Sequence, residues 1–272
     1  MTAKAAVIGW PINHSKSPLI HNHWLSRYSI PGTYEAIAVA PVALKESIQR
    51  LVDAGYSGFN VTVPHKQAIL DHMDFIRPDA ERIGAVNTVV IGADGTLEGR
   101  NTDAFGFIAN IKLSAPDFNL RAGPAIVIGA GGAARAVTYA LQKEGVENIR
   151  IINRTLENAR ALAAEFSPCE GLAWDRLPDV TKDANLIINT TTLGMTGQAP
   201  LELDFARIKP TALVHDIVYA PLETPLLRDA RAAGNPTVTG IGMLLHQARP
   251  AFEAWFGVMP DVDPDLVKMV LA

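Results

Sequence analysis

The sequence predicts an α/β protein of two domains: an N-terminal α/β unit, a second unit built on a Rossmann-type parallel sheet, and C-terminal helices returning to the first. Three observations carry that expectation. Short apolar, β-prone runs alternate with helical patterns along the 272 residues. Near the middle, PAIVIGAGGAAR (residues 124–135) joins an apolar strand through a glycine-rich turn to an Ala-rich helical run. With 48% apolar and 7% aromatic residues, the chain has enough hydrophobic mass for two compact cores.

The first strand is expected at residues 5–9, and Met1-Thr2-Ala3-Lys4 reads as its approach, not as a secretion signal. A helix should begin at Pro18, whose ring suits the first helical position, with Ser17 as N-cap. Residues 34–39, 59–63 and 87–91 read as further strands, with a helical pattern at residues 42–54 and another helix starting at Lys66. Asp94-Gly95 is a tight-turn dipeptide that closes this unit. A helical stretch over residues 104–113 then follows a boundary near Asp103, and residues 113–124, with two Pro and a Gly, form an irregular linker. The remaining strands fall at residues 125–128, 149–152, 186–189, 213–216 and 237–239, and Thr224 before Pro225 caps a helix. The expected domains are therefore residues 1–103 with 241–272, and residues 104–240.

Charge and composition narrow the function. A net charge of −4 with mixed signs leaves no electrostatic footprint for nucleic acid or a membrane surface, so small molecules are the expected partners. No apolar run is long enough to span a bilayer. The single Cys169 allows neither an internal disulfide nor a Cys-based zinc site and suits a reducing cytoplasm. The metal candidates are His14, His21, His23, His65, His72, His215 and His246, and none has the clustered partners a metal needs, so no metal is expected.

The glycine turn carries the clearest chemistry. Gly129, Gly131 and Ala134 stand in the G-x-G-x-x-A spacing, directly after a strand and one βαβ span before the next. Glycines let the backbone approach a pyrophosphate while the helix N-terminus neutralises it, which assigns Gly129, Ala130, Gly131, Gly132 and Ala133 to a dinucleotide. The second strand ends in Asn153-Arg154-Thr155, where an NAD site would place an acid for the ribose hydroxyl. An arginine there pairs with a 2′-phosphate, so the expected cofactor is NADP, although Glu157 nearby opposes a phosphate.

In the N-terminal segment, Ser15 and Ser17 set two hydroxyls beside a helix start, a clamp for a carboxylate. On the expected strand at residues 59–63, Asn60 and Thr62 alternate and would share one face, just before Lys66.

These segments, together with GAVNT (residues 84–88), GRNTD (99–103), NTTTLGM (189–195), DIVYAPLETP (216–225) and GIGMLLHQA (240–248), occur in an order that resembles the shikimate dehydrogenase family over essentially the whole chain. The resemblance implies NADP-dependent, reversible reduction of 3-dehydroshikimate to shikimate in aromatic amino-acid biosynthesis, in a cleft between a substrate domain and a cofactor domain. It makes Lys66 and Asp103 the catalytic acid–base pair. It gives the substrate carboxylate to Ser15, Ser17 and Tyr219, and the ring hydroxyls and carbonyl to Thr62, Asn87, Asp103 and Gln247. It sets Thr191, Ile217, Gly240 and Met243 near the nicotinamide and its ribose. Plainer roles stand beside these: Asn87 as a turn cap, Tyr219 packed on Pro221, Gln247 facing solvent. One departure is that NADP-preferring relatives often carry a second arginine shortly after Arg154, where this chain has Asn158, with Arg160 displaced. Two further readings remain: a quinate/shikimate dehydrogenase using NAD, and a non-catalytic regulator that binds NADP and a shikimate-like ligand. A monomer or homodimer is expected.

Overall fold

The leading strand is apolar on both faces, and the rest of the first sheet is laid against it. In the computed structural model, which describes residues 3–13 and 15–271, β1 (Ala3–Gly9) buries five of its seven residues. Such a strand must be covered on both sides. It pairs in parallel with β2 (Gly32–Ala38) and β3 (Gly58–Val61). Between them lie α1 (Ser17–Arg27) and α2 (Leu44–Asp53), the latter led in by a 3₁₀ turn at Pro41–Ala43. The sheet continues through β4 (Phe75–Ile76), α3 (Pro78–Ile83), β5 (Thr88–Ile91) and β6 (Leu97–Arg100), in the order β2-β1-β3-β5-β6-β4. β5 runs antiparallel to both neighbours. Asp94 holds the connecting hairpin, its carboxylate accepting from the Thr96 amide at 3.1 Å and the Thr96 hydroxyl at 2.7 Å.

The second sheet is wholly parallel. It begins after α4 (Asp103–Ser114) with β7 (Ala125–Ile128), α5 (Gly132–Lys143), β8 (Ile149–Asn153), α6 (Leu156–Glu165) and β9 (Glu170–Ala173). It goes on through α7 (Leu177–Val180), β10 (Leu186–Asn189), β11 (Leu213–Asp216), α8 (Pro225–Ala232) and β12 (Thr237–Val238). Its strand order, β9-β8-β7-β10-β11-β12, reverses direction between β7 and β10. In such sheets a ligand crevice forms outside the strand C-termini at that reversal. All four residues of β7 are buried, and α5 packs on the sheet through Ala134, Val137, Ala140 and Leu141, the two alanines letting helix and strand approach closely.

The last helices are α9 (Gly240–Phe256) and α10 (Pro264–Leu271). Two compact units result: one is the chain up to Thr102 with everything from Leu245 onward, and the other runs from Asp103 to Leu244. The division falls inside α9.

Several local expectations are corrected. Ser17 is the first helical residue of α1, not its cap: Lys16 holds the cap position, and the Ser15 hydroxyl accepts from the Ser17 amide at 3.3 Å. The strand expected to reach residue 63 ends at Val61, because the chain turns over Val63-Pro64 and the His65 amide closes back on the Thr62 carbonyl at 2.9 Å. Thr62 lies just past the assigned strand, although its amide still donates to the Ile8 carbonyl of β1 at 3.0 Å. No α-helix starts at Lys66. The chain makes a 3₁₀ turn at Ala68–His72 and is then drawn into β4, where Asp74 and Leu97 exchange bonds of 3.0 and 2.8 Å. Of the opening residues, Met1 and Thr2 lie outside the described set, as does the metal candidate His14. Among the described residues no group of three His, Cys, Asp or Glu side chains is gathered for a metal, and no helix is long and apolar enough to cross a membrane.

Candidate active site

In the first unit the polar residues meet at the ends of β3 and β5. Asn87 sits one residue before β5, only 2% exposed, and its amide is bonded at both ends. Its Nδ2 donates to the Thr102 hydroxyl at 3.0 Å and to Gln247 Oε1 at 3.2 Å. Its Oδ1 accepts from the Thr102 amide at 2.8 Å and the Thr88 hydroxyl at 2.9 Å. A buried amide with this many partners has one orientation. Gln247 also accepts from the Thr102 hydroxyl at 3.3 Å, so it faces this cluster, not solvent.

Behind Asn87 lies Asn60, whose Nδ2 donates to the Asn87 carbonyl at 3.0 Å and to Thr88 at 3.1 Å, while its Oδ1 accepts from the Tyr34 hydroxyl at 2.6 Å. Asn60 is thus satisfied by protein groups. The buried Ser17 hydroxyl reaches the Tyr34 phenol oxygen, whose own ionisation burial pushes well above its usual range. Ser15, half-buried, neighbours it at the helix start.

Lys66 enters this cluster through its backbone. The Val86 amide donates to the Lys66 carbonyl at 2.8 Å, and the buried His65 ring anchors the same turn on the Val39 carbonyl at 2.7 Å. Thr62 follows β3 and is tied to β1 through the Ile8 carbonyl at 3.0 Å. On the other side, Asn87 holds the backbone at Thr102, the residue covalently before Asp103. Asp103, 5% exposed, opens α4.

In the second unit the two spaced glycines of the turn differ in what they require. Gly129 has φ +118°, and a Cβ there would lie 2.5 Å from the Thr190 hydroxyl, so only glycine fits. Gly131 differs. Its φ of −90° suits any residue, and a Cβ would meet nothing within 4 Å. The space at Gly131 is therefore left open by the protein itself. No described side chain caps α5, and its first turn carries no acid, so no side chain occupies the backbone donors at the helix start. Thr190 and Thr191, following β10, flank this turn across the strand reversal, with the Thr190 amide on the Ile128 carbonyl at 2.9 Å.

At the end of β8, Asn153 turns its amide onto the Thr155 carbonyl at 3.0 Å, and Arg154 and Thr155 are exposed. Asn158 and Arg160 lie exposed on α6. Ile217 and Tyr219 follow β11. Both are partly buried, and burial raises the Tyr219 phenol pKa. Gly240 and Met243 form the first turn of α9, both buried. Thr224 caps α8, accepting from the Leu227 amide at 3.4 Å, as the Thr-Pro pair predicts. The residues that sequence reasoning assigned no role are Asn189, Asp216, Thr102 and Tyr34. The first three stand inside the quoted motifs, but nothing in a sequence shows that their side chains converge.

A parallel sheet reversing at β7 and β10, with an open, uncapped glycine turn at that reversal, defines an α/β protein with a dinucleotide-binding unit. Comparison with known families narrows this. Residues 7–89 match the family described as shikimate dehydrogenase substrate binding domain, residues 111–196 that of shikimate / quinate 5-dehydrogenase, and residues 240–265 the shikimate 5′-dehydrogenase C-terminal domain. The shikimate dehydrogenase (NADP(+)) of Rhodospirillum rubrum is 52% identical over 98% of this chain and 96% of its own length. Among solved structures, shikimate 5-dehydrogenase of Thermus thermophilus in complex with NADP(H) and shikimate superposes with a TM-score of 0.86 at 38% identity, covering 98% of this chain and 97% of that one. The quinate dehydrogenase of Corynebacterium glutamicum in complex with NAD gives 0.90 at 31% identity, covering 99% and 97%. The chain belongs to the shikimate dehydrogenase family.

Proposed function

We propose that this protein catalyses the NADP-dependent, reversible reduction of 3-dehydroshikimate to shikimate, a step of aromatic amino-acid biosynthesis. One observation carries the reading. The Lys66 carbonyl is held by the Val86 amide at 2.8 Å, and the Thr102 amide by Asn87 Oδ1 at 2.8 Å, so two adjacent residues anchor both the turn bearing Lys66 and the backbone one residue before Asp103.

NADPH, when bound, supplies the hydride. Reduction of a ketone leaves a developing alkoxide, and Lys66 gives it a proton from Nζ; in the oxidative direction the same amine takes the hydroxyl proton. Asp103 orients the ammonium. Ser15, Ser17 and Tyr219 hold the substrate carboxylate, while Thr62, Asn87 and Gln247 receive the ring oxygens. Asn87 is suited to that work because its orientation is set before substrate arrives.

Gly129, Ala130, Gly131, Gly132 and Ala133 receive the pyrophosphate of NADP, Asn153, Arg154 and Thr155 its adenosine end, and Thr191, Ile217, Gly240 and Met243 the nicotinamide half. The first unit is the substrate domain and the second the cofactor domain. The protein works in a reducing cytoplasm, as a monomer or homodimer.

The Corynebacterium relative keeps open a second reading, NAD-dependent oxidation of quinate. Hydroxyls at both Ser15 and Ser17 favour shikimate, and Arg154 in place of an acid favours NADP. Absorbance at 340 nm with shikimate or quinate against NADP or NAD tests this. The shikimate/NADP pair should give the highest kcat/KM, and a preference for quinate with NAD would replace the reading by its rival.

A further inference from the structure

Asp216 ends β11 with none of its surface exposed, a costly place for a carboxylate unless its oxygens are bonded. They are. Oδ1 accepts from the Val218 amide and from Asn189 Nδ2, both at 3.0 Å, and Oδ2 accepts from the Thr224 hydroxyl at 2.7 Å.

Each partner governs a different segment. Asn189, which faces Asp216 in the strand register, turns its own Oδ1 to the Thr191 amide at 3.0 Å and the Thr191 hydroxyl at 2.7 Å. Its Nδ2 also binds the Leu193 carbonyl at 2.9 Å, and the Leu193 amide donates to the Thr191 hydroxyl at 3.1 Å. The Asn189 carbonyl accepts from the Ile217 amide at 3.1 Å. Val218 lies between Ile217 and Tyr219, and Thr224 starts α8. One carboxylate therefore fixes the turn after β10, the segment after β11 and the helix beyond it. Burial raises the Asp216 pKa from the usual 3.8 to about 6.

We propose that Asp216 is a positioning residue for the nicotinamide side of the cofactor site: through the Asn189 amide and the Val218 N–H it holds Thr191 and Ile217 in one fixed arrangement. The inference rests on the functional reading above.

The test compares NADP+ with 2′-phospho-ADP-ribose, which lacks only the nicotinamide, by equilibrium titration of Asp216→Asn, Thr224→Val and Thr224→Ser. Asp216→Asn should weaken NADP+ about tenfold and leave 2′-phospho-ADP-ribose within twofold, with kcat for shikimate oxidation falling more than tenfold. Thr224→Val should show the same split at smaller size and carries the test if Asp216→Asn does not fold, whereas Thr224→Ser should restore wild-type binding. Equal weakening of both ligands, or of neither, overturns the proposal. Wild-type protein that binds no NADP+ overturns the functional reading as well, an outcome recognisable before any variant is made.

Discussion

Gly131→Ala separates a glycine kept for the fold from one kept for a ligand. The added methyl group would find nothing within 4 Å, and φ −90°, ψ −171° is open to alanine without strain. Removing a glycine also restricts the unfolded chain, which stabilises by roughly 0.4–1 kcal/mol at a compatible site. The variant should therefore melt at or slightly above the wild-type temperature. Its ligand should fare differently, since a pyrophosphate displaced by the methyl loses at least one charge-assisted hydrogen bond, about 1.5–3 kcal/mol, or roughly 10- to 150-fold in Kd. Gly129→Ala is the opposite control. At φ +118° and 2.5 Å from the Thr190 hydroxyl, it should lose about 1–3 kcal/mol of stability through strain alone. Thermal unfolding together with NADPH fluorescence titration reads both quantities. If Gly131→Ala binds NADPH as tightly as the parent, the α5 turn does not hold the phosphates.

Arg154→Ala should raise the NADPH KM at least tenfold and leave the NADH KM nearly unchanged, because the guanidinium answers only a 2′-phosphate; equal effects in steady-state assays would remove it from the cofactor site. Ser17→Ala should raise the shikimate KM several-fold with the NADP+ KM unmoved, and a shift in the NADP+ KM alone would contradict its place on the substrate side. Stability should fall in acid through His21 and His215, both fully buried, each with a pKa lowered by desolvation from 6.5 to about 3. A base depressed in the folded state stabilises above its unfolded pKa and loses that contribution as pH falls from 6.5 towards 3, at about 1.4 kcal/mol per unit for each histidine. Asp216, raised to about 6, works the other way and is relieved as pH falls from 6 to 3.8. His21→Phe should accordingly flatten the loss of stability between pH 6.5 and 4.5 in urea titrations followed by Trp24 and Trp255 fluorescence; an unchanged slope would mean that His21 does not titrate this way.

The second sheet was more legible in the sequence than the first. Strands at residues 125–128, 186–189 and 213–216 coincide with β7, β10 and β11 because each is a short apolar run on a fully buried parallel sheet, bounded by turn residues. β4, β6 and β9 went unread. They are two to four residues long, β6 reads Leu-Glu-Gly-Arg, and only their pairing with a neighbouring strand makes them strands.

The site divides in the same way. Gly129 and Gly131 announce themselves by spacing, and Thr224 by the proline after it, since each is a local backbone requirement. Ser17 was misread as a cap because the sequence cannot show that the Ser15 hydroxyl takes its amide instead. Asn60 looked like an unpartnered polar residue on a strand face, whereas Tyr34, 26 positions away, satisfies it. Asp216 and Asn189 were visible within their motifs, but their coupling across β10 and β11 depends on strand register. Tertiary hydrogen bonding of this kind has no period in a sequence.

The pairing of Lys66 with Asp103 is tested most directly by single-turnover oxidation of shikimate in Lys66→Ala, alongside its NADP+ affinity. General acid–base catalysis contributes about 10²- to 10⁴-fold, so the variant should lose hydride transfer on that scale while binding NADP+ as the parent does. Hydride transfer at the parent rate would contradict the assignment of Lys66 and return the non-catalytic regulator to consideration.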